Sequence, residues 1–439
     1  MNNKLFLWSI TVALAGFLFG FDTVIVSGAE KTLQEIWGST DAFHGWVVVS
    51  SALWGTVIGA MFGGIPTDRI GRKNTLIWIG VLYFVSAIGS AMANDPWTFA
   101  ILRFIGGLGV GASTIAAPAY IAEIAPAEKR GQLGTLYQFN IVFGILVAYF
   151  AIWALGDVGS EPWRWMIGIE AVPALIYALL AFTVPKSPRW LVIKKQEIAE
   201  ARRIFGLVSA PEIVEERLAE IEAELNQSEA DEPLFKSKWA IPLSLAFFIS
   251  FFNQFSGINA FLYYAPRIFE MAGLGESGAR LSSIGVGVIN LIFTMLGMFL
   301  IDRLGRKVLL YIGSVGYIIS LSLVAMAFAY SWTGIAVPIF LFLFIASHAV
   351  GQGAVIWVFI SEIFPNRMRA KGQAFGVSIH WVLAAAIPAV TPVLFTSIGP
   401  APVFAFFAFM MVLQLLWVYF KVPETKGKSL EQLEQELSQ

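Results

Sequence analysis

Two charged side chains sit where charge is costly. Asp22 and Arg103 each interrupt a long apolar run, and an ionised group in a bilayer costs roughly 2.5 kcal/mol or more even on lenient scales. Such residues mark ion or proton pathways by default. Asp22 lies about 8 Å from one end of its run and Arg103 about 9 Å from the matching end of its own, at 1.5 Å per residue. At equal depth the two can pair. A carboxylate beside a guanidinium stays ionised, and one parted from it in apolar surroundings takes up a proton. The pair reads as a proton switch, with a static packing pair as the rival reading. Glu170, near the start of another run, is expected at the interface.

A second set is neutral. Gln138, Asn253, Gln254, Asn259 and Asn290 lie in apolar runs, as do Trp357, His380 and Trp381. A lone amide there usually serves as glue between helices. Gly257, Gly351 and Gly353 mark places where such helices can break or bend.

A third set is repeated. Asp68-Arg69-Ile70-Gly71-Arg72-Lys73 recurs as Asp302-Arg303-Leu304-Gly305-Arg306-Lys307, each after an apolar run. Glu123 to Arg130-Gly131 recurs as Glu362 to Arg369-Ala370-Lys371-Gly372, and Pro185-Lys186-Ser187-Pro188 answers Pro423-Glu424-Thr425-Lys426-Gly427. Gly71 and Gly305 permit tight turns. Arg72 and Arg306 can pair with carboxylates or with helix C-terminal carbonyls. Asp68, Arg72, Glu123 and Arg130, with Asp302, Arg306, Glu362 and Arg369, are expected to form an ion-pair latch between the halves that closes an inner gate in the outward-facing state and breaks when it opens. The rival reading makes these cations topological signals alone.

The elements that must hold these residues follow from composition. With 57% hydrophobic and 13% charged residues and a mean hydropathy of +0.72, the chain is a membrane protein. A net charge of −1 predicts no nucleic-acid partner. Cysteine is absent and the three histidines are scattered, so no metal site and no cofactor is expected. No nucleophile elbow, metal motif or nucleotide loop is present, which argues against an enzyme. A bilayer takes roughly 20 apolar residues per helix. Twelve spans are expected, at about 5–27, 43–66, 74–93, 97–121, 132–154, 163–184, 239–263, 281–301, 308–330, 334–361, 373–396 and 400–420.

Lys and Arg concentrate in the even-numbered loops, the tails and the segment 186–238, while the other side offers Lys31, Arg164, Arg267 and Arg280. Both termini are therefore expected in the cytoplasm. Lys4, an apolar stretch and Val26-Ser27-Gly28-Ala29 look like a cleavable leader, but Asp22 lies inside it and its loss would break the two-fold pattern. The fold class expected is an all-α membrane protein, twelve transmembrane helices in two pseudo-symmetric six-helix bundles with short cytoplasmic helices. The domains read as 1–188, 239–421, a cytoplasmic helical linker 189–238 and a tail 422–439, where Lys428-Ser429-Leu430-Glu431 opens a short helix.

These motifs together resemble the sugar porter family of the major facilitator superfamily, from Gly16 to about Leu433. Asp-Arg-x-Gly-Arg-Lys marks the superfamily. Pro185 to Leu191, Gln254-Phe255-Ser256-Gly257-Ile258-Asn259-Ala260 and Pro423 to Gly427 are specific to sugar porters. The resemblance implies two six-helix bundles, a central cavity, alternating access and a bacterial plasma-membrane protein working as a monomer. Phe19-Gly20-Phe21-Asp22 is similar to proton-coupled members, which implies that Asp22 and Arg103 couple the proton. A monosaccharide offers hydroxyls and apolar ring faces, suited to amides and aromatics. The implied sugar contacts are Phe19, Gln138, Asn253, Gln254, Asn259, Tyr263, Tyr264, Asn290, Trp357, His380 and Trp381.

The chain departs from its relatives at three places. Lys186 replaces a usual Glu, Asn253 replaces a usual Gln, and His380 stands where Gln or Asn is common. The sugar is accordingly open, a glucose-like hexose first and a pentose such as xylose second. Expected partners are the sugar, a proton and the bilayer. A uniporter with a structural Asp22 is one rival. A non-transporting sensor is another, though it calls for a long signalling tail that 422–439 does not offer.

Overall fold

The computed structural model describes residues 3–226, 233–332, 334–428 and 430–437, leaving aside the side chains of residues 127, 128, 130, 131, 224–226, 366, 430 and 431. Among these, eleven helices are long and apolar enough to cross a membrane, or up to twelve if one bent pair counts as a single span. In chain order, with the bent pair as span 2, they are Asn3–Gly28, Asp41–Val49 with Ser51–Phe62, Arg72–Met92, Pro96–Ile124, Gln132–Leu155, Pro162–Ala181, Ser237–Met271, Glu276–Leu304, Arg306–Ala329, Ala336–Glu362, Arg367–Ile398 and Pro400–Lys421.

Packing repeats with the sequence. In the first half, span 1 packs on 5, 2 on 4, and 3 on both 4 and 6. In the second, span 7 packs on 11, 8 on 10, and 9 on both 10 and 12, the same pattern six spans later. The halves join through 2 against 11 and 5 against 8, contacts that exchange under the same shift. An all-α, pseudo-two-fold pair of six-helix bundles results. Its outer surface is apolar: Leu7, Trp78, Ile101, Leu179, Phe299 and Phe409 are exposed, as lipid contact requires.

Local chemistry sets the ends of spans. The Asp95 carboxylate accepts from the backbone N–H of Trp97 and Thr98, with Pro96 at the first helical position, so span 4 begins there. Gly71 (φ 87°) and Gly305 (φ 95°) turn the chain into spans 3 and 9, a conformation that favours glycine. Span 2 bends by 42° at a π-helical turn, His44–Val49. There Gly45 meets the Ala389 backbone with no room for a Cβ. The bend brings span 2 against span 11 where the halves touch.

After span 6 the chain forms helices Ile198–Gly206 and Pro211–Asn226. Trp190, Ile204, Phe205, Val214 and Leu218 bury one face of each, the periodicity of an amphipathic pair. Arg217 donates to the carbonyls of Glu123 (2.8 Å) and Ala125 (3.1 Å) at the end of span 4, where a cation is favoured. A last helix, Leu430–Leu437, follows span 12, and Ser429 lies outside the described residues.

Candidate functional site

Spans 1, 4 and 6 bring three charges together. Arg103 is 1% exposed and Asp22 3%. Arg103 Nη1 donates to Asp22 Oδ1, and its Nη2 to the Asp22 backbone carbonyl at 3.3 Å. The depth match in the sequence is thus a direct contact. Glu170 corrects the interfacial expectation: it is 1% exposed, with Oε2 at 3.9 Å from Arg103 Nη1. Span 6 already starts at Pro162, so Glu170 sits two turns inside it. Its Oε1 has no partner. One guanidinium faces two carboxylates, and neutrality of the three requires one proton.

The amides gather in the other half. Span 7 breaks at Gly257 (φ 82°), between Ala240–Phe255 and Ile258–Met271. The break lets Asn259 Nδ2 turn back and donate to Gln254 Oε1 at 2.8 Å. Gln254 Nε2 donates to Asn253 Oδ1 at 3.0 Å and lies 3.3 Å from both ring nitrogens of His380. The His380 ring is 4.8 Å from that of Trp357 and 5.1 Å from that of Trp381. Trp381 in turn meets Phe19 of the first half at 5.5 Å. Tyr263 is buried and interacts electrostatically with Asp22 and Arg103, so the polar groups of the two halves adjoin there.

Other expected site residues make no hydrogen bond to this cluster among the described residues. Gln138 is half-buried on span 5. Asn290 accepts from Thr294 of its own helix at 3.3 Å. Tyr264 donates to the Pro388 carbonyl at 2.9 Å and neighbours Glu30 and Arg267.

At the basic end the two repeats build matching nodes. Arg72 pairs with Asp68 (2.9 Å) and Glu123 (2.8 Å); Arg306 pairs with Asp302 (3.1 Å) and Glu362 (2.7 Å). Ser187 donates to Glu123 and Thr425 to Glu362. Among the described residues each node closes within its own half; the bridge between halves is expected of the outward-facing state. Glu362 is held by Arg306 and Thr425, and Arg369 Nε has no partner. The Arg130 side chain lies outside those described.

Ion pairs between the halves occur at the opposite end, and the sequence reading missed them. Glu30, fully buried, meets Arg267 at 2.7 Å and His44 at 3.1 Å. Lys31 pairs with Glu270 and Arg280 with Asp157; the hydrogen bond to Glu270 raises the Lys31 pKa. The signal was available. Lys31, Arg267 and Arg280 are among the few cations of that side.

With paired buried charges in one half and an amide–aromatic cluster in the other, the comparisons decide the family. Residues 8–437 match the family described as "Sugar (and other) transporter". The chain belongs to the sugar porter family. This sugar porter is 36% identical to the arabinose-proton symporter of Bacillus subtilis (strain 168), over 97% of this chain and 93% of that one. It is 36% identical to the glucose transporter GlcP of Staphylococcus epidermidis, covering 100% and 98%. Its fold superposes on the inward open conformation of the xylose transporter XylE from E. coli with a TM-score of 0.88, at 33% identity, over 98% of this chain and 99% of that one. It is an integral membrane transporter with the major facilitator fold.

Proposed function

We propose that this sugar porter imports a monosaccharide together with a proton by alternating access. The observation that carries the reading is the buried trio of Asp22, Arg103 and Glu170, whose charge is balanced by one proton. In the arrangement seen, Arg103 holds Asp22 and stands 3.9 Å from Glu170. A proton on Asp22 releases the guanidinium toward Glu170; its departure draws the guanidinium back. The neighbouring contact of Tyr263 and the meeting of Phe19 with Trp381 give that shift a route to the sugar cavity.

In this reading Gln138, Asn253, Gln254, Asn259, Asn290, Trp357, His380 and Trp381 bind the sugar, with Phe19, Tyr263 and Tyr264 as walls. Amides and imidazole serve its hydroxyls, and the aromatic rings its apolar faces. A glucose-like hexose is the first candidate and xylose the second, as relatives named for glucose and xylose suggest. The basic end faces the cytoplasm of a bacterium, with both termini there, in keeping with the positive-inside rule. Residues 1–188 and 239–421 move against each other as a monomeric carrier, joined by 189–238, with a tail 422–439; the protein catalyses no covalent step. The ion pairs at the opposite end belong to a state closed outward and open inward. Asp68, Arg72, Glu123 and Arg130, with Asp302, Arg306, Glu362 and Arg369, serve the inner gate.

The test is uptake of labelled glucose, xylose and arabinose into proteoliposomes with and without an imposed pH gradient. Accumulation of one sugar driven by an inward proton gradient is expected. Equilibration unaffected by the gradient would replace symport by uniport.

A further inference from the structure

Behind the sugar-binding amides runs a chain of buried hydrogen bonds that none of the functions above uses. Gln352 and Gln414 are both 0% exposed. Gln352 lies in a π-helical turn of span 10, Ala349–Gly353, whose extra residue aims its side chain between spans 7 and 12. Gln352 Nε2 donates to Gln414 Oε1 at 2.9 Å. Gln414 Nε2 donates to Ser314 Oγ at 2.8 Å, and that hydroxyl donates to the Leu310 carbonyl at 2.7 Å. In the other direction, Gln352 Oε1 accepts from Asn253 Nδ2 at 3.5 Å, the loosest link. Asn253 Oδ1 accepts from Gln254, and Gln254 Oε1 from Asn259.

Every donor in this row points the same way. The reason lies at its far end, where a backbone carbonyl can only accept. The Ser314 hydroxyl must then donate to it, so Gln414 turns its NH₂ to Ser314 and its oxygen to Gln352. The constraint passes along Gln352, Asn253 and Gln254. Reversing one amide would set oxygen against oxygen or N–H against N–H in a dry interior, where an unmade hydrogen bond is expensive. Asn259 is the one amide of the row that is not fully buried. Its Oδ1 and its second N–H are left for a ligand, in an orientation set five side chains away, at Ser314. Gln254 likewise presents N–H to His380, whose ring accepts through whichever of its two nitrogens, both at 3.3 Å, carries no proton.

We propose that Gln352 and Gln414 are positioning residues that fix, from behind, which sugar hydroxyl donates to Asn259 and which accepts from it. The inference rests on the sugar-binding reading of Asn259. It assigns selectivity among stereoisomers partly to residues that never touch the sugar, with Ser314 as their anchor.

A double-mutant cycle tests it. Calorimetry on purified protein measures binding of D-glucose, D-xylose and L-arabinose to the unaltered chain, to Gln352→Met, to Asn259→Ala and to the double variant. Gln352→Met is expected to weaken the best sugar about fivefold, and both Asn259→Ala and the double variant about tenfold, because Gln352 acts through Asn259. Gln352→Glu, whose buried carboxyl in its protonated form can donate to Gln414 and accept from Asn253, should restore most of the affinity. Ser314→Ala, which removes a single oxygen, should give a smaller loss that also vanishes in the Asn259→Ala background and stands in should Gln352→Met not fold. Multiplied losses in the double variant, near about fiftyfold, or full affinity in Gln352→Met, would overturn the positioning role while leaving the sugar site in place. Absence of any sugar binding to the unaltered chain would instead overturn the sugar reading, and the proposal with it.

Discussion

The two halves share one fold and one packing pattern, yet their interiors carry different chemistry. The first half buries Asp22, Arg103 and Glu170. The second buries a row of amides with His380 among tryptophans. Duplication supplied two equal scaffolds, and the polar residues placed inside them divided the work. On the proposed reading, charge that changes with protonation sits in one bundle, and most of the neutral groups that read hydroxyls, Gln138 excepted, sit in the other. Separation makes sense physically, because a titrating carboxylate beside the sugar would tie affinity to protonation directly instead of through a conformational change.

The largest effect expected from breaking this division is Arg103→Ala. It leaves two buried carboxylates without a cation, and loss of one partner from a buried ion pair costs about 3–5 kcal/mol. Thermal unfolding in detergent should show a marked drop, with poor recovery of folded protein. Arg103→Lys keeps the charge and should lose less. An unchanged midpoint for Arg103→Ala would mean that the trio is not the charged core drawn here.

In the second half, Gln254→Ala and Asn259→Ala should each weaken sugar binding by about 1–3 kcal/mol without altering the number of protons carried per sugar. Calorimetry and a pH-sensitive dye read the two quantities separately. A change in stoichiometry would join the two halves chemically and break the comparison.

His380→Gln is a milder probe. Its side-chain oxygen can accept from Gln254 as the imidazole does, so coupling should persist while the order of preference among sugars changes. A competition panel measures this. Lost coupling with an unchanged order would place a proton site in the amide half.

The smallest effect compares the basic ends. In the second half Glu424 accepts from the backbone N–H of Arg306 and Lys307, both at 3.0 Å, at the start of span 9. In the first half Lys186 stands in the corresponding motif, beside Lys73 at the start of span 3. A carboxylate suits a helix N-terminus and a cation does not, so Lys186→Glu should stabilise by about 0.3–1 kcal/mol. A lowered melting temperature for that variant would refute the symmetry argument.

Much of this was legible in the sequence because charge in apolar runs is rare. Asp22 and Arg103 announced themselves by cost and by depth, and the spans by length. Glu170 was misplaced although the expected span, 163–184, already set it about two turns inside; its burial beside Arg103 follows from how spans 1, 4 and 6 pack, which no single span reveals. Glu123 has Arg130 as a near neighbour in sequence, yet it meets Arg72 across the fold, a contact no local spacing reveals. Gln352 and Gln414 were missed although the same rule applies to them: an amide in an apolar run needs a partner. Which partner, and which way each donor points, depends on the π-helical turn and on three helices meeting, and neither follows from hydropathy. For the ion pairs between halves at the far end, the sequence showed the scarce cations Lys31, Arg267 and Arg280 but not the acids across the interface that each one meets.

The most direct test of the division is Asp22→Asn in proteoliposomes, with accumulation driven by a pH gradient and sugar counterflow at equal pH measured side by side. Asparagine keeps the shape and the hydrogen bond to Arg103 but cannot carry the proton. The account predicts that accumulation is abolished while counterflow continues and sugar affinity stays within a few-fold of the unaltered protein. Normal accumulation by the Asn variant would contradict it.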